Sequence, residues 1–327
     1  MELLHAIFVA PFQEMWAFPD FFMQVLWEGF VSGVLYSLIA LGFVLIFKAS
    51  GVFNFAQGIM VVFSALTLVG LHGFLTMTVG LPGVLAAFLS LILTLGVMYL
   101  LAAGVERFML RKLVNQEDII LFMATIGLTN VLIGAGQGIF GGETKTMITS
   151  DLLLPTGSSV WEPGGGLVIF QHIDIAAAVI AGLLIAGLAF FFSYTKVGRG
   201  LRAVADDHQA ALSVGISLNQ IWVIVWFAAG IVALVTGILW GARSDVSFSL
   251  QIIALKALPV LVLGGFTSIP GAIVAGLIIG IGEKVFELYW GGLFGSGVEG
   301  WFAYVIALIF LLFRPQGLFG DKIIERV

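Results

Sequence analysis

Apolar residues in this chain do not alternate with polar ones. They run in stretches of about twenty, and short polar islands separate the stretches. Such runs lie near 25–47, 55–75, 82–104, 119–140, 173–194, 220–241, 252–267, 270–290 and 301–313. Each predicts a helix crossing a bilayer, because a span needs about 20 apolar residues. Charges keep to the islands: none lies between Lys48 and Glu106, Asp118 and Glu143, Asp174 and Lys196, Asp207 and Arg243, or Lys256 and Glu283. The 252–267 segment is short and carries Lys256 and Pro259, so eight or nine crossings are expected. The fold class is therefore all-α, a single polytopic membrane domain over residues 1–327. Its first 24 residues, with the stretch FVAPFQEMWAF, read as interfacial.

Basic residues orient the spans, since Lys and Arg collect on the cytoplasmic side. Arg107, Arg111 and Lys112 form one island, Lys196, Arg199 and Arg202 a second, and Arg314, Lys322 and Arg326 a third. Residues 105–118, 195–219 and the C-terminal end are expected inside; the N-terminal end and loop 141–172 are expected outside. That loop is dense in turn residues (Gly141, Gly142, Pro155, Gly157, Gly164 to Gly166) and predicts an irregular cap. It serves either as a connector or as a landing surface for an extracytoplasmic partner.

Composition agrees: 60% of the 327 residues are hydrophobic and 10% charged, with mean hydropathy +1.13. A soluble domain could not hide so much apolar surface. Without Cys there is no disulfide, thiolate metal site or Cys nucleophile. The four His are scattered without ligand spacing, so no metal is expected, and nothing points to nucleic acid. The first basic residue is Lys48, so no signal-peptide n-region is present and an uncleaved N-terminus is expected. The string from Gly136 to Gly141 matches G-x-G-x-x-G but ends an apolar helix without a βαβ unit, so it is not a dinucleotide site. Gly134 with Gly138, and Gly276 with Gly280, read instead as small faces for helix packing. No Walker A sequence occurs, so this chain is expected to bind no cofactor and no ATP of its own.

Two segments break an apolar run in a comparable way: LIFKASGVFNFAQGIMVVFSAL and LVLGGFTSIPGAIVAGLIIG. Aligned, Gly51 meets Gly264, Phe53 meets Phe266 and Gly58 meets Gly271. Interrupted helices survive in a membrane only against protein or a watery cavity. Asn54, Gln57, Gly58, Thr267, Ser268 and Gly271 are therefore the candidate substrate pathway. The alternative is two ordinary inner turns. Lys256, Glu283 and Lys284 are expected to snorkel or pair locally.

The polar loop TKVGRGLRAVADDHQAALSVGISLNQ suits docking to a cytoplasmic protein. A helix over 203–215 is expected, stopped by Gly215, with small Ala residues fitting a partner's groove. Gln209-Ala210-Ala211, three residues, then Gly215 resembles a degenerate Glu-Ala-Ala-x-x-x-Gly coupling loop of ABC importer permeases. Arg202, Asp206, Gln209, Ala210, Ala211 and Gly215 are the candidate coupling residues.

VFNFAQG, LKALPVLVLGGFTSIPGA, GRGLRAVADDHQAALSVGI and RPQGLFG together resemble the permeases of the branched-chain amino acid ABC import family, over about 25 to 320. Ser268 to Ala272 is more similar to the H-type than to the M-type subunit. Many relatives carry His and Glu where this chain has Gln57 and Ile59, a departure that bears on substrate identity. The resemblance implies a prokaryotic inner-membrane complex with a second permease, M-type in a heterodimer. Two ATP-binding cassette subunits carrying ATP and Mg²⁺, and an external solute-binding protein, complete it. Leu, Ile, Val or a similar small amino acid or amide would be the cargo, and this chain would be non-catalytic. A self-contained secondary transporter or channel is the rival reading; it would need buried coupling carboxylates or His, which the charge-free spans hardly offer.

Overall fold

In the computed structural model, residues 2–113, 116–162, 166–206, 208–213, 215–295 and 297–320 are described. For Glu2, Leu3, Asp118, Asp206, His208, Gln209 and Ala210 the description covers the backbone alone. Helices α1 (Glu2–Phe8) and α2 (Ala10–Ala17) precede α3 (Pro19–Ser50), α4 (Gln57–Met77), α5 (Gly83–Phe108) and α6 (Asp118–Phe140). A hairpin of β1 (Ser158–Trp161) and β2 (Val168–Gln171) follows, then α7 (His172–Tyr194), α8 (Lys196–Asp206) and α9 (His208–Ser213). The chain continues through α10 (Leu218–Ser244), α11 (Leu250–Gly264), α12 (Ile269–Phe294) and α13 (Phe302–Phe313). Seven of these, α3 to α7, α10 and α12, are long and apolar enough to cross a membrane among the described residues; α11 and α13 are shorter apolar helices.

Helix α3 is the axis of the bundle. Its 32 residues extend about 48 Å at the α-helical rise, and its apolar window is 83% buried. It packs against α12 through Gly29 and Gly33 on one helix and Gly276 and Gly280 on the other. A Cβ on Gly33 would stand 2.7 Å from the Gly276 oxygen, and one on Gly29 2.7 Å from the Ile281 Cα. Only residues without side chains let the backbones approach so closely. Ser37, one turn further on, donates to the Gly33 carbonyl at 2.7 Å and the Ile273 carbonyl at 3.2 Å. The small face at Gly276 and Gly280 is thus occupied. Gly134 and Gly138 are not: among the described residues outside their own helix backbone, nothing lies within 4 Å of a Cβ at either position. Their helix, α6, is only 22% buried, as is α7.

Contacts sort the connections into two ends. At one, Lys145 bridges Val246, His72 Nε2 stands 2.9 Å from Asp151 Oδ2, and the Ile169 N–H donates to Gln24 at 2.8 Å. The N-terminal helices close this end, where Trp290 donates to the Ile7 carbonyl at 2.9 Å. At the other, the Leu318 and Phe319 N–H groups donate to the Leu263 and Gly264 carbonyls at 2.8 and 3.2 Å. The residues RPQGLFG thereby satisfy the last carbonyls of α11, which no residue within that helix can reach. Lys48, Arg111, Lys196, Arg202 and Arg314 share this second end; Lys322, Arg326 and Gly164 lie outside the described residues.

The expectation of helices broken within the membrane is corrected. Residues 51–56 and 265–268 are turns between consecutive helices, α3 to α4 and α11 to α12. Gly51 at φ +67° and Gly265 at φ +97° take backbone conformations that end a helix and suit glycine.

Candidate functional site

The first turn is buried in protein. Asn54 and Gln57 have no exposed surface. Asn54 Oδ1 accepts from the Ala56 N–H at 3.1 Å, and its Nδ2 donates to Gln57 Oε1 at 3.4 Å. Gln57 Nε2 in turn donates to the Ala229 carbonyl of α10 at 3.4 Å. The amide carbon of Gln57 lies across Gly42 of α3, 2.6 Å from where a Cβ would be. Thr125 of α6 completes the turn: its hydroxyl accepts from the Phe55 N–H at 3.2 Å and donates to the Phe53 carbonyl at 3.1 Å. Gly58 presses on α11, where a Cβ would meet Ala254 at 2.6 Å. This turn binds α3, α4, α6, α10 and α11 together, and the Thr125 clasp was not foreseen from sequence.

The second turn is more open. Ser268 caps α12, its hydroxyl accepting from the Gly271 N–H at 3.1 Å. Gly264 and Gly271 abut, a Cβ on Gly264 falling 2.5 Å from the Gly271 carbonyl carbon. Thr267 and Ser268 border a cavity of about 390 Å³ between the ends of α3 and α7 and the starts of α8 and α12, together with Lys48, Phe192, Arg202 and Phe319. Of the six pathway candidates, these two line the cavity; Asn54, Gln57, Gly58 and Gly271 do not.

Beyond α7 the chain folds into an elbow; α8 and α9 flank Asp207, which lies outside the described residues, and together they cover most of the expected helix 203–215. The Thr195 hydroxyl accepts from the Gly198 N–H at 3.1 Å, and Gly198 leaves no room for a Cβ against the Phe192 backbone. Arg202 returns to α7, donating to the Phe192 and Ser193 carbonyls at 2.7 and 3.3 Å. A guanidinium on these last carbonyls satisfies orphan acceptors and meets the negative end of the helix dipole. Leu201 and Val204 turn the apolar face of α8 inward, at 3% and 0% exposure.

Helix α9 ends as its Gly predicted. Gly215 has φ +82°, its N–H reaches the Leu212 carbonyl and the Ile216 N–H reaches the Ala211 carbonyl, both at 3.0 Å. This bond pair is a Schellman closure. Ala211 differs from expectation: it is 2% exposed and packs within this chain, so its methyl is not offered to a partner. Its neighbour Leu212, 53% exposed, points outward instead. The side chains of Asp206, Gln209 and Ala210 lie outside the described residues.

Towards the opposite end, Lys256 Nζ lies 2.7 Å from Glu283 Oε1 and 3.7 Å from Glu299 Oε2, while Lys284 Nζ lies 2.6 Å from Glu299 Oε1. The Tyr36 hydroxyl donates to Glu283 at 3.2 Å. Burial pushes the Glu299 carboxyl up, but the hydrogen bond and charge of Lys284, with Lys256, hold it below its ordinary value. A buried ion left alone would cost several kcal/mol; this cluster leaves each lysine a carboxylate.

Residues 25–314 match the family described as "Branched-chain amino acid transport system / permease component". The chain is 29% identical over 314 residues to the high-affinity branched-chain amino acid transport system permease protein BraD of Pseudomonas aeruginosa, covering 94% of this chain and 98% of that one. It is 26% identical over 323 residues to LivH of Escherichia coli K12, with the same coverage of both. Among solved structures, PsaBC from Streptococcus pneumoniae in complex with Fab aligns at a TM-score of 0.43 and 15% identity, covering 88% of this chain and 89% of that one.

Proposed function

Since this chain belongs to the family of permease components of branched-chain amino acid transport systems, we propose that it forms half of the translocation path of an ATP-driven importer for Leu, Ile, Val or a similar small amino acid. As a permease of this family it is a non-catalytic, multi-pass protein of the inner membrane. Relatives described as high-affinity transport system permeases support the cargo class. The remaining parts of the reading are a second, M-type permease, two ATP-binding subunits that supply ATP and Mg²⁺, and an external solute-binding protein. The solute-binding protein would do most of the selecting and would meet the 141–172 cap.

The observation that carries the coupling role is the brace on the elbow. A lever transmits force only if it is fixed to what it moves. Arg202 ties α8 to the last turn of α7, Ala211 anchors α9 in the bundle, and the Schellman closure at Gly215 leads directly into α10. A push on the elbow is thereby delivered to two spanning helices. Asp206, Gln209 and Ala210 remain part of the proposed ATPase contact, and Leu212 replaces Ala211 as its apolar point.

The pathway residues serve in this reading as positioning residues at the inner end. Asn54, Gln57 and Gly58 lock one turn; Thr267, Ser268 and Gly271 begin α12 from the other. Nine crossings, with α11 and α13 as short ones, fit the alternation of the two ends. Leu212→Asp places a charge on the outward point of the elbow without touching the buried face. We expect ATPase co-purification and leucine uptake to fall while the amount of permease in the membrane is unchanged. Normal ATPase association and normal uptake in this variant would sink the coupling assignment.

A further inference from the structure

The cavity at the inner ends of α3, α7 and α12 has a chemistry that transport does not account for. Two cations face it, Lys48 from the last turn of α3 and Arg202 from α8, and among the described residues no carboxylate lines it. Arg202 donates two of its five N–H groups to α7 carbonyls, and among the described residues the other three have no further hydrogen-bond partner. Lys48 forms no hydrogen bond or ion pair among the described residues. The N-terminus of α12 opens on the same space and adds partial positive charge. Ser193, Thr267 and Ser268 add uncharged polar groups, and Leu45, Ala189, Phe192 and Ile273 are apolar.

We propose that this cavity binds the phosphate headgroup of an anionic phospholipid of the cytoplasmic leaflet. Three observations favour a lipid over other anions. The cavity lies where spanning helices end, at headgroup depth, and basic clefts between helices on this side of a membrane suit anionic headgroups. Both α7 and α12 contribute to its lining, and their apolar windows are only 22% and 39% buried, which leaves their outer faces for acyl chains. Among the described residues its charge is all of one sign, whereas a zwitterionic amino acid would also need a carboxylate for its ammonium group. The lipid would bridge the α3 end to the α8 brace and steady the elbow at its root. This inference rests on the inward orientation of the basic end, which membrane-sided labelling tests independently.

The test uses the importer purified in detergent with all subunits that accompany it, and native mass spectrometry with phosphatidylglycerol and, in parallel, phosphatidylcholine. Phosphatidylglycerol should remain bound in preference to phosphatidylcholine. Lys48→Gln should weaken its retention about fivefold, the worth of one cation near a membrane surface, and Lys48→Arg should restore it. Lys48 is a half-exposed residue at a helix end, so the permease yield serves as the control for folding. Equal retention by wild type and Lys48→Gln, or equal retention of the two lipids, would overturn the proposal. Displacement of the lipid by inorganic phosphate at comparable concentration would reassign the site to a free anion. Displacement by leucine would make it a substrate exit. Loss of ATPase subunits on Lys48→Gln with lipid retention unchanged would make it a protein contact. If no ATPase accompanies the permease at all, the importer reading fails, yet the lipid arms remain measurable on the permease alone.

Discussion

At the scale of the residue, Asn54 shows how polar groups are used inside this bundle. Its side chain has no exposed surface and replaces backbone hydrogen bonds that the α3–α4 turn cannot make for itself. Asn54→Leu keeps the branched outline of the side chain but leaves the Ala56 N–H and the Gln57 amide without their partner. Each buried orphan costs about 1–3 kcal/mol, enough to lower complex yield and uptake together. Full yield with lost uptake would restore a direct role on the solute route, and full uptake at full yield would leave the turn without importance. The sequence flagged Asn54 and Gln57 correctly as polar groups needing protein or water, because an apolar run makes any amide conspicuous. It could not separate water from protein: the answer lay with Gly42, Thr125 and Ala229, all distant in the chain. Ala211 illustrates the same limit. A small residue in a docking motif and a small residue in a core look alike until burial is known.

At the scale of the element, span positions were legible because a helix in lipid must satisfy every backbone group internally, so its apolar run marks it. Helix ends were less so. α3 runs from Pro19 to Ser50, beyond the expected 25–47 at both ends. The elbow's first helix begins at Lys196, ahead of the expected 203. Lys256, Glu283 and Lys284 were expected to pair locally, yet Glu299, brought in by the turn between α12 and α13, completes the cluster. Glycine pairs give a sharper test, since one pair is filled and one is open. Gly33→Val would drive a side chain into the Gly276 backbone, and overpacking of this kind costs about 1–3 kcal/mol or more. Its thermal midpoint in detergent should fall well below wild type. Gly134→Ala meets nothing within 4 Å among the described residues outside its own helix backbone, so the isolated permease should keep its midpoint. Equal effects from the two substitutions would contradict the observed α3–α12 crossing.

At the scale of the whole molecule, the two ends differ in charge as well as in covering. The cap over 141–171 joins α4, α5 and α10 through His72, Asp151, Gly83 and the Lys145–Val246 bridge. The opposite end gathers Lys48, Arg107, Arg111, Lys112 and the basic first turn of the elbow. Positive residues near span ends favour the cytoplasm, so the expected orientation puts the cap outside and the elbow inside. One helix, α7, separates the two regions, and a helix that crosses must put them on opposite sides. The chain has no Cys, so single introduced thiols can report on each. Ser158 lies in the exposed strand β1 and Leu212 on the outward face of α9. Ser158→Cys should react with a membrane-impermeant maleimide in intact cells, and Leu212→Cys only after the membrane is opened. The reverse pattern would invert the orientation and take the ATPase contact and the lipid site with it. Labelling of both from one side would mean that α7 does not cross, against its 23 residues of nearly unbroken apolar sequence.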